Sequence, residues 1–205
     1  YGHMVDQYLG RHSSPAPGLA VLSNWKDNPQ IKHLHKHTLP EGSVLHPDLS
    51  FDAKKIIFGF CDHTEKNRDR RRYWIYEMAA DGSWVKQLTV TPPDKLETWD
   101  NRATVVIEDW DPCYLPDGGF AFITTRCQSF GRCHGGRFNP AWPLYRCAPD
   151  GADVRQISFN NENEYEPSVL NDGRVVYTRW EYTNRHEMWF HMLWWCCPDG
   201  TEVSN

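Results

Sequence analysis

Short apolar segments separated by Asp-Gly turns recur through most of this chain. The stretch Glu164–Tyr182 shows the pattern best, because a Glu-Pro step and a short apolar run lead into Asn-Asp-Gly and then a β-branched segment. Asp-Gly steps supply the positive φ that tight hairpin turns require. The pattern therefore predicts a β-hairpin at this position.

The same unit occurs three times, at residues 46–89, 109–158 and 164–205. Each unit opens with a proline that follows an acidic residue or a histidine. A first strand leads to an aspartate turn, an apolar second strand precedes a variable insert, and a third strand ends at an Asp-Gly turn before a polar fourth strand. Four antiparallel strands per repeat is the pattern of a β-propeller blade. We predict an all-β chain of about three four-stranded blades, preceded by an irregular lead-in segment at residues 1–45.

Three blades are fewer than a closed propeller normally contains, since small propellers have about four or more. Either residues 1–45 supply further strands or the sequence is a fragment of a larger propeller, and we expect the second. The three units differ in length almost entirely in the insert between the second and third strands. Inserts at one equivalent position project from one face of a propeller, and that face is the usual binding face.

Composition narrows the classes of function. The chain has 205 residues, among them ten Trp, nine Tyr and nine Phe, which favours sheets over helix bundles. The net charge of −5 argues against a general nucleic-acid binder. Its apolar runs are too short to span a bilayer, and no signal peptide is visible.

The repeated units resemble a known family. The Asp-Gly units look like the repeats of Tol-type periplasmic propellers, and the resemblance is closer to the middle-domain region of the hydrazine synthase alpha subunit family. The matching segments share the blade pattern and cover most of the chain: His46–Asp62, Asp111–Arg126, Arg132–His134, Leu144–Gly151, Asn163–Tyr182 and Leu193–Gly200.

The resemblance implies a propeller domain of an exported bacterial protein, periplasmic or extracellular, that acts as a binding or scaffold domain. A neighbouring domain or subunit is the implied partner. Members of that family that carry c-type haem need Cys-x-x-Cys-His for covalent attachment. The nearest approach here, Cys127-x5-Cys133-His134, has a different spacing, so the sequence gives no support for haem. Whether the domain is an enzyme stays open.

A second hypothesis is an enzyme component with a metal or redox site on the insert face. Cys127, Cys133 and His134 lie close together in the insert of the second unit, and His191 lies at the insert of the third. Thiolates and imidazoles suit zinc, and a zinc near one haem in the resembled family favours it slightly. A Cys127–Cys133 disulfide in an oxidising compartment and unpaired thiols are the alternatives.

Other candidate binding residues are Trp180 and Tyr182, joined by Arg132 of the second insert. The aromatic pair forms either a stacking platform for a ligand or inter-blade packing. The Arg68–Arg72 run either meets phosphate or an acidic glycan or is a solvated loop tip.

Acidic residues recur where the units begin, at Asp111, Glu164 and Glu166. They either line a channel and bind a cation or accept backbone N–H groups between blades. The buried-strand positions of Cys113, Cys147 and Cys196 predict core thiols.

Overall fold

The computed structural model describes residues 8–16, 18–34, 39–92, 98–99, 103–104, 106–131, 140–182 and 190–205. In this part of the chain the structure is nearly all β, with no α-helix and two short 3₁₀ turns at Gly10–His12 and Arg68–Arg70. It contains no helix with the length and apolar character needed to cross a bilayer.

Fifteen strands are numbered in chain order. They are β1 (Ala20–Ser23), β2 (Gln30–His33), β3 (Gly42–Leu49), β4 (Lys55–Asp62), β5 (Tyr73–Ala79), β6 (Val85–Gln87), β7 (Thr98–Trp99), β8 (Ala103–Thr104), β9 (Asp109–Tyr114), β10 (Phe120–Thr124), β11 (Leu144–Cys147), β12 (Arg155–Gln156), β13 (Glu164–Val169), β14 (Val175–Trp180) and β15 (His191–Cys196).

The three repeats form three blades, which confirms the predicted fold class. Blade 1 is the antiparallel sheet β3-β4-β5-β6, blade 2 is β9-β10-β11-β12 and blade 3 is β13-β14-β15. In blade 3 a bridge between Trp195 and Ser204 takes the place of the fourth strand. The first strand of each blade is innermost, and β9 lies between β3 and β13. These three inner strands therefore lie side by side along the inner edge of the blades, facing the propeller axis.

Strand direction defines two ends of every blade. The tight turns between the first and second and between the third and fourth strands lie at one end, which we call the turn end. The inserts between the second and third strands lie at the other, which we call the insert end. The five Asp-Gly turns have φ of +81° to +89° at Gly82, Gly118, Gly151, Gly173 and Gly200, so their predicted role as turn residues is confirmed.

Apolar side chains fill the spaces between neighbouring blades. Ile57 and Ile75 of blade 1 pack against Phe120 and Phe122 of blade 2, and each of these four side chains is fully buried. Burying a side chain of this size contributes about 1.5–3 kcal/mol. The predicted core thiols are also confirmed, since all three lie in these layers with 0–3% exposure: Cys113, Cys147 and Cys196.

The strands β1 and β2 form a hairpin within residues 1–45, and its position repeats a feature of the blades. A Cβ placed on Gly82 would lie 2.7 Å from the carbonyl oxygen of Leu34, directly after β2, and one placed on Gly200 would lie 2.6 Å from that of Ile157, directly after β12. Gly151 meets Leu88, directly after β6, in the same way. The hairpin of β1 and β2 therefore packs against blade 1 in the same way that the outer two strands of one blade pack against the next blade.

Candidate functional site

Each inner strand carries a β-bulge at the same position. The pairing register shifts around His46 in β3, Asp111 in β9 and Glu166 in β13, each of which precedes a proline. Their φ values are +43°, +51° and +49°. Positive φ is uncommon outside glycine and persists only where the surrounding structure fixes it. The bulges thus place one side chain from each blade beside the axis.

One buried carboxylate joins these three positions. Asp111 is 2% exposed, and its Oδ1 pairs with Nδ1 of His46. Its Oδ2 accepts the backbone N–H of Glu166 at 3.1 Å. Asp111 of blade 2 therefore binds both blade 1 and blade 3, which is the inter-blade hydrogen-bonding role that the sequence allowed for it.

The contact with Asp111 also orients the imidazole of His46. Because Nδ1 faces the carboxylate, the neutral ring donates Nδ1–H and presents Nε2 as an acceptor. No described residue bonds to Nε2, and the side chain is 36% exposed. Burial alone would lower the pKa of His46, but the hydrogen bond and charge of Asp111 and the charge of Glu166 raise it above its usual value. The ring is therefore placed to accept, donate or hold a proton.

Aromatic rings cover this pair from the insert end. The ring of Tyr8 lies 5.7 Å from His46, 5.6 Å from Tyr165 and 6.2 Å from Trp142, measured between centroids. We call Tyr8, His46, Asp111, Tyr165 and Glu166 the axial cluster.

Two buried indole groups lie directly beneath this aromatic cover. Trp142 packs edge-on against Trp110 with ring centroids 5.3 Å apart. No described residue accepts a hydrogen bond from the Nε1 of either indole. A buried donor normally has a protein or water partner. These two N–H donors therefore give the otherwise aromatic cluster a place where a polar group could bind.

The sequence-predicted residues at blade 3 reach the axial cluster through Tyr165. The ring of His191 lies 5.8 Å from Tyr165 and 5.6 Å from Trp180, and burial lowers the pKa of His191. Trp180 is 2% exposed and packs edge-on against Tyr182 at 6.2 Å. Trp180 is therefore a core side chain, and the binding roles of Trp180 and Tyr182 both stay predictions.

The candidate metal site is described only in part. The Cys127 thiol donates to the carbonyl oxygen of Ala141 at 3.3 Å, and burial raises the pKa of Cys127. The other predicted members of the second insert, Arg132, Cys133 and His134, lie outside the described residues. Within the described ranges, no three His, Cys, Asp or Glu side chains are grouped as metal ligands.

Two buried glutamates connect neighbouring blades. Glu108 directly precedes β9 and Glu164 begins β13, and each accepts a backbone N–H group from the preceding blade. Glu108 accepts the backbone N–H of Tyr73 at 3.2 Å and that of Gly10 at 2.7 Å. Glu164 accepts the N–H of Leu144 at 2.8 Å. Tyr73 and Leu144 are the first residues of the third strands β5 and β11, so the two contacts are equivalent. Burial raises the pKa of Glu108 and of Glu164 to about 7.

A buried serine–histidine pair near the lead-in segment has the wrong polarity for a nucleophile. The Ser13 hydroxyl donates to the Gly10 carbonyl at 2.6 Å, so its contact with His63 Nε2 at 2.9 Å is one in which the imidazole donates. An activated serine must instead donate to the histidine. Ser13 also lies 3.4 Å from the Cys61 sulfur, and the pKa of Cys61 is raised to about 11 by burial. This cluster is structural.

Comparison with solved structures identifies the architecture. A hydrazine synthase from Kuenenia stuttgartiensis superposes with a TM-score of 0.61 at 16% identity, over 86% of this chain and 26% of that chain. The fold is a propeller of the hydrazine synthase and TolB type. A putative TolB from Agrobacterium tumefaciens superposes with a TM-score of 0.54 at 19% identity, over 86% of this chain and 51% of that one.

An oligogalacturonate lyase solved in complex with manganese has a TM-score of 0.50 at 12% identity. This chain therefore spans between a quarter and about half of the propeller proteins it resembles. No protein-family model and no curated protein matches the sequence.

Two functional positions were missing from the sequence prediction. His46 pairs with a residue 65 positions away. The sequence signal that could have identified it is that every repeat proline follows a histidine or an acidic residue. Glu108 stands three residues before Asp111 and had no repeat signal, because Ser43 and Asn163 take its place in the other units.

Proposed function

We propose that this chain is a binding and scaffold propeller domain of an exported bacterial protein, and that a small ligand or neighbouring domain binds at its axial cluster. The observation that carries the proposal is the His46–Asp111 pair. The pair is oriented, half-exposed and held by strained backbone, and no described residue bonds to Nε2 of His46. Residues in rare backbone conformations concentrate at functional sites. Export is supported by the resemblance to Tol-type propellers.

The surroundings of the pair favour a polar ligand with an apolar face. Tyr8 and Tyr165 supply ring surfaces, whereas His46 and the exposed Glu166 supply polar groups. Such a mixture is typical of small-molecule sites, in which a few polar groups fix the orientation of the ligand. The likeness to hydrazine synthase is one of fold alone, so we infer no reaction from it.

The test is a titration of histidine-labelled protein followed by NMR, with glucose, glucuronate and choline as separate probes. We expect at least one probe to shift the His46 signal saturably. Asp111→Asn should abolish that response, because it removes the charge that orients the imidazole. Asp117→Asn, at a turn on the opposite end, is the matched control and should keep the response. If no probe moves His46, the axial binding site is refuted.

A second candidate function is a metal-dependent or redox enzyme component on the insert face. The observation that favours it is that two of its predicted members, Cys127 and His191, both lie at the insert end. Cys127 bonds to the carbonyl of Ala141. The next residue, Trp142, contacts Tyr165, which in turn contacts His191. Zinc is the metal such thiolate and imidazole groups would suit. Elemental analysis of purified protein should then show stoichiometric zinc.

Variants separate this candidate from the first. Cys133→Ser and His134→Ala should each lose zinc, while Cys147→Ser, a change at a buried core thiol, should keep it. Metal-free wild-type protein with oxidised Cys127 and Cys133 would contradict the metal site and leave the axial proposal unaffected.

A further inference from the structure

A second surface at the insert end carries concentrated positive charge. Its members come from the lead-in turn and the insert of blade 1, and Arg68 Nε donates to the Arg11 carbonyl at 3.1 Å, which joins the two segments. We call this surface the arginine patch, and it consists of Arg11, Lys66, Arg68, Arg70, Arg71 and Arg72. It includes none of the residues of the axial cluster, although Tyr8 of that cluster lies three positions before Arg11.

The cations of the arginine patch differ from those at the turn end in forming no close ion pair with a described residue, although the buried Glu108 acts on Arg11 and Arg72 at longer range. None of the six forms an ion pair in the part of the chain that the structure describes. At the turn end, by contrast, Arg146 pairs with Asp117 at 2.6 Å and Arg174 with Asp172 at 2.6 Å. In a chain with a net charge of −5, unpaired cations gathered in one place need an explanation.

Three guanidinium groups of the patch are already fixed in position. Each uses its Nε to bind a backbone carbonyl: Arg68 binds Arg11, Arg71 binds Glu65 at 2.9 Å, and Arg72 binds Arg70 at 3.2 Å. No described residue accepts a hydrogen bond from their terminal nitrogens, which leaves these as two-pronged donors, and the Arg72 guanidinium lies over the Trp74 ring at 5.9 Å. A carboxylate accepts such a pair of N–H groups bidentately, and little side-chain entropy is then lost on binding.

The carboxylates around the patch limit the length of an anionic ligand. Asp62 and Glu65 lie at its border, and each accepts a backbone N–H of its own turn at 2.8 Å. Asp69 lies between Arg68 and Arg70. A long uniform polyanion, such as a nucleic acid or polyuronate, would extend onto these acidic borders and be repelled. A short segment with a few carboxylates fits better.

We propose that the arginine patch binds a short acidic polypeptide segment of the partner domain or subunit. This inference rests on the proposed scaffold function and specifies that the partner's binding segment is acidic. The segment's carboxylates meet the free terminal nitrogens of the fixed guanidinium groups. Because the contacts are charged and exposed, the complex weakens as salt rises.

The experiment measures fluorescence anisotropy of a labelled hexaglutamate peptide with the whole 205-residue chain. We expect saturable binding at low ionic strength, and we expect Arg70→Glu to weaken it roughly tenfold through the lost and reversed charge. Arg70 is chosen because its side chain is exposed, so that folding is retained. Arg155→Glu, an equal charge change at an exposed position on β12, is the control and should leave the affinity unchanged.

Two results would overturn the inference. One is an equal loss in Arg70→Glu and Arg155→Glu, which would show a general charge effect. The other is tighter binding of single-stranded DNA or polyuronate than of the peptide. The axial titration reads out separately, since His46 lies outside the patch. A peptide that fails to bind while axial probes still shift His46 therefore refutes only the patch.

Discussion

The two ends of the blades are made by the same strands, yet their carboxylates behave in opposite ways. At the turn end, exposed aspartates accept hydrogen bonds from the hydroxyl and the backbone N–H of the residue two positions further on, and these bonds lower the pKa of Asp81 and Asp199. At the insert end, burial raises the pKa of Glu108 and Glu164. The turn end thus consists of solvated aspartates that are hydrogen-bonded within their own turns. The insert end instead holds the buried glutamates and the arginine patch.

The largest expected effect concerns the close packing of the turn end. Gly151→Ala should lower the free energy of unfolding by about 3 kcal/mol, because φ is +86° and a Cβ would overlap the Leu88 carbonyl. Urea unfolding measures this loss. Gly118→Ala is the matched control. Its φ is +87° but the nearest atom to its Cβ is 3.7 Å away, so we expect about 1 kcal/mol. Equal losses would show that conformation alone matters.

The next effect separates the two ends by pH. The pKa of Glu108 is about 7 in the folded protein against 4.5 ordinarily, so the folded state binds the extra proton. The stability it contributes is present below pH 4.5 and is lost as the pH rises to about 7. Glu108→Gln should remove the Glu108 share of this slope, leave the similar share of Glu164, and gain about 2 kcal/mol at neutral pH. Unfolding curves between pH 5 and 8 would show it.

A matched variant and the turn end complete this pH test. Glu41→Gln, at an exposed glutamate, should leave the slope unchanged. The turn-end aspartates have the opposite sign, since the pKa of Asp117 and Asp172 is lowered from 3.8. Their contribution is present above that value and lost as the pH falls further. Stability that rises steadily from pH 5 to 8 in wild type would contradict the Glu108 assignment.

A smaller and more local change is expected at the axis. Asp111→Asn should lower the pKa of His46, because burial then acts without the opposing carboxylate charge. In wild type the pair's contribution to stability is present below pH 6.5 and lost as the pH rises through the raised pKa. An NMR titration of the His46 ring measures both forms. Asp48→Asn, whose carboxylate accepts the Tyr114 N–H at 2.9 Å, should leave the His46 pKa nearly unchanged.

The smallest effect is a gain in stability. In the first turn of blade 1, Ala53 adopts a φ of +56° where the other blades place a glycine. Ala53→Gly should raise the free energy of unfolding by about 0.5–1 kcal/mol by relieving that conformation. Ala152→Gly, at a turn residue without positive φ, should lower it by about as much. A loss at both positions in thermal or urea unfolding would contradict this account of the turn.

The parts of the fold that were predictable are those encoded locally. Alternating strands, Asp-Gly turns and core thiols each depend on residues within one blade, so their signals lie within a few positions of sequence. The hairpin of β1 and β2 was harder to predict. Its turn has no Asp-Gly step, Asn24 takes the positive φ instead, and its strands are exposed throughout.

The candidate site was less predictable for a physical reason. Asp111 was recognised as recurring by position, but its pairing with His46 depends on two bulges that bring separate blades together. No local pattern records which repeat residues meet across an axis. The zinc hypothesis for Cys127, Cys133, His134 and His191 stays a prediction, because half of that set lies outside the described residues.

The glycine turns that meet the Leu34, Leu88 and Ile157 carbonyls have a consequence for how the chain is made. In each case the blade that comes later in the chain places its turn on a carbonyl that comes earlier. During synthesis from the N-terminus, each of these turns is therefore made after the carbonyl that it packs against. The contacts follow the order of the chain, so an incomplete chain can form only the glycine contacts of the blades that it already contains.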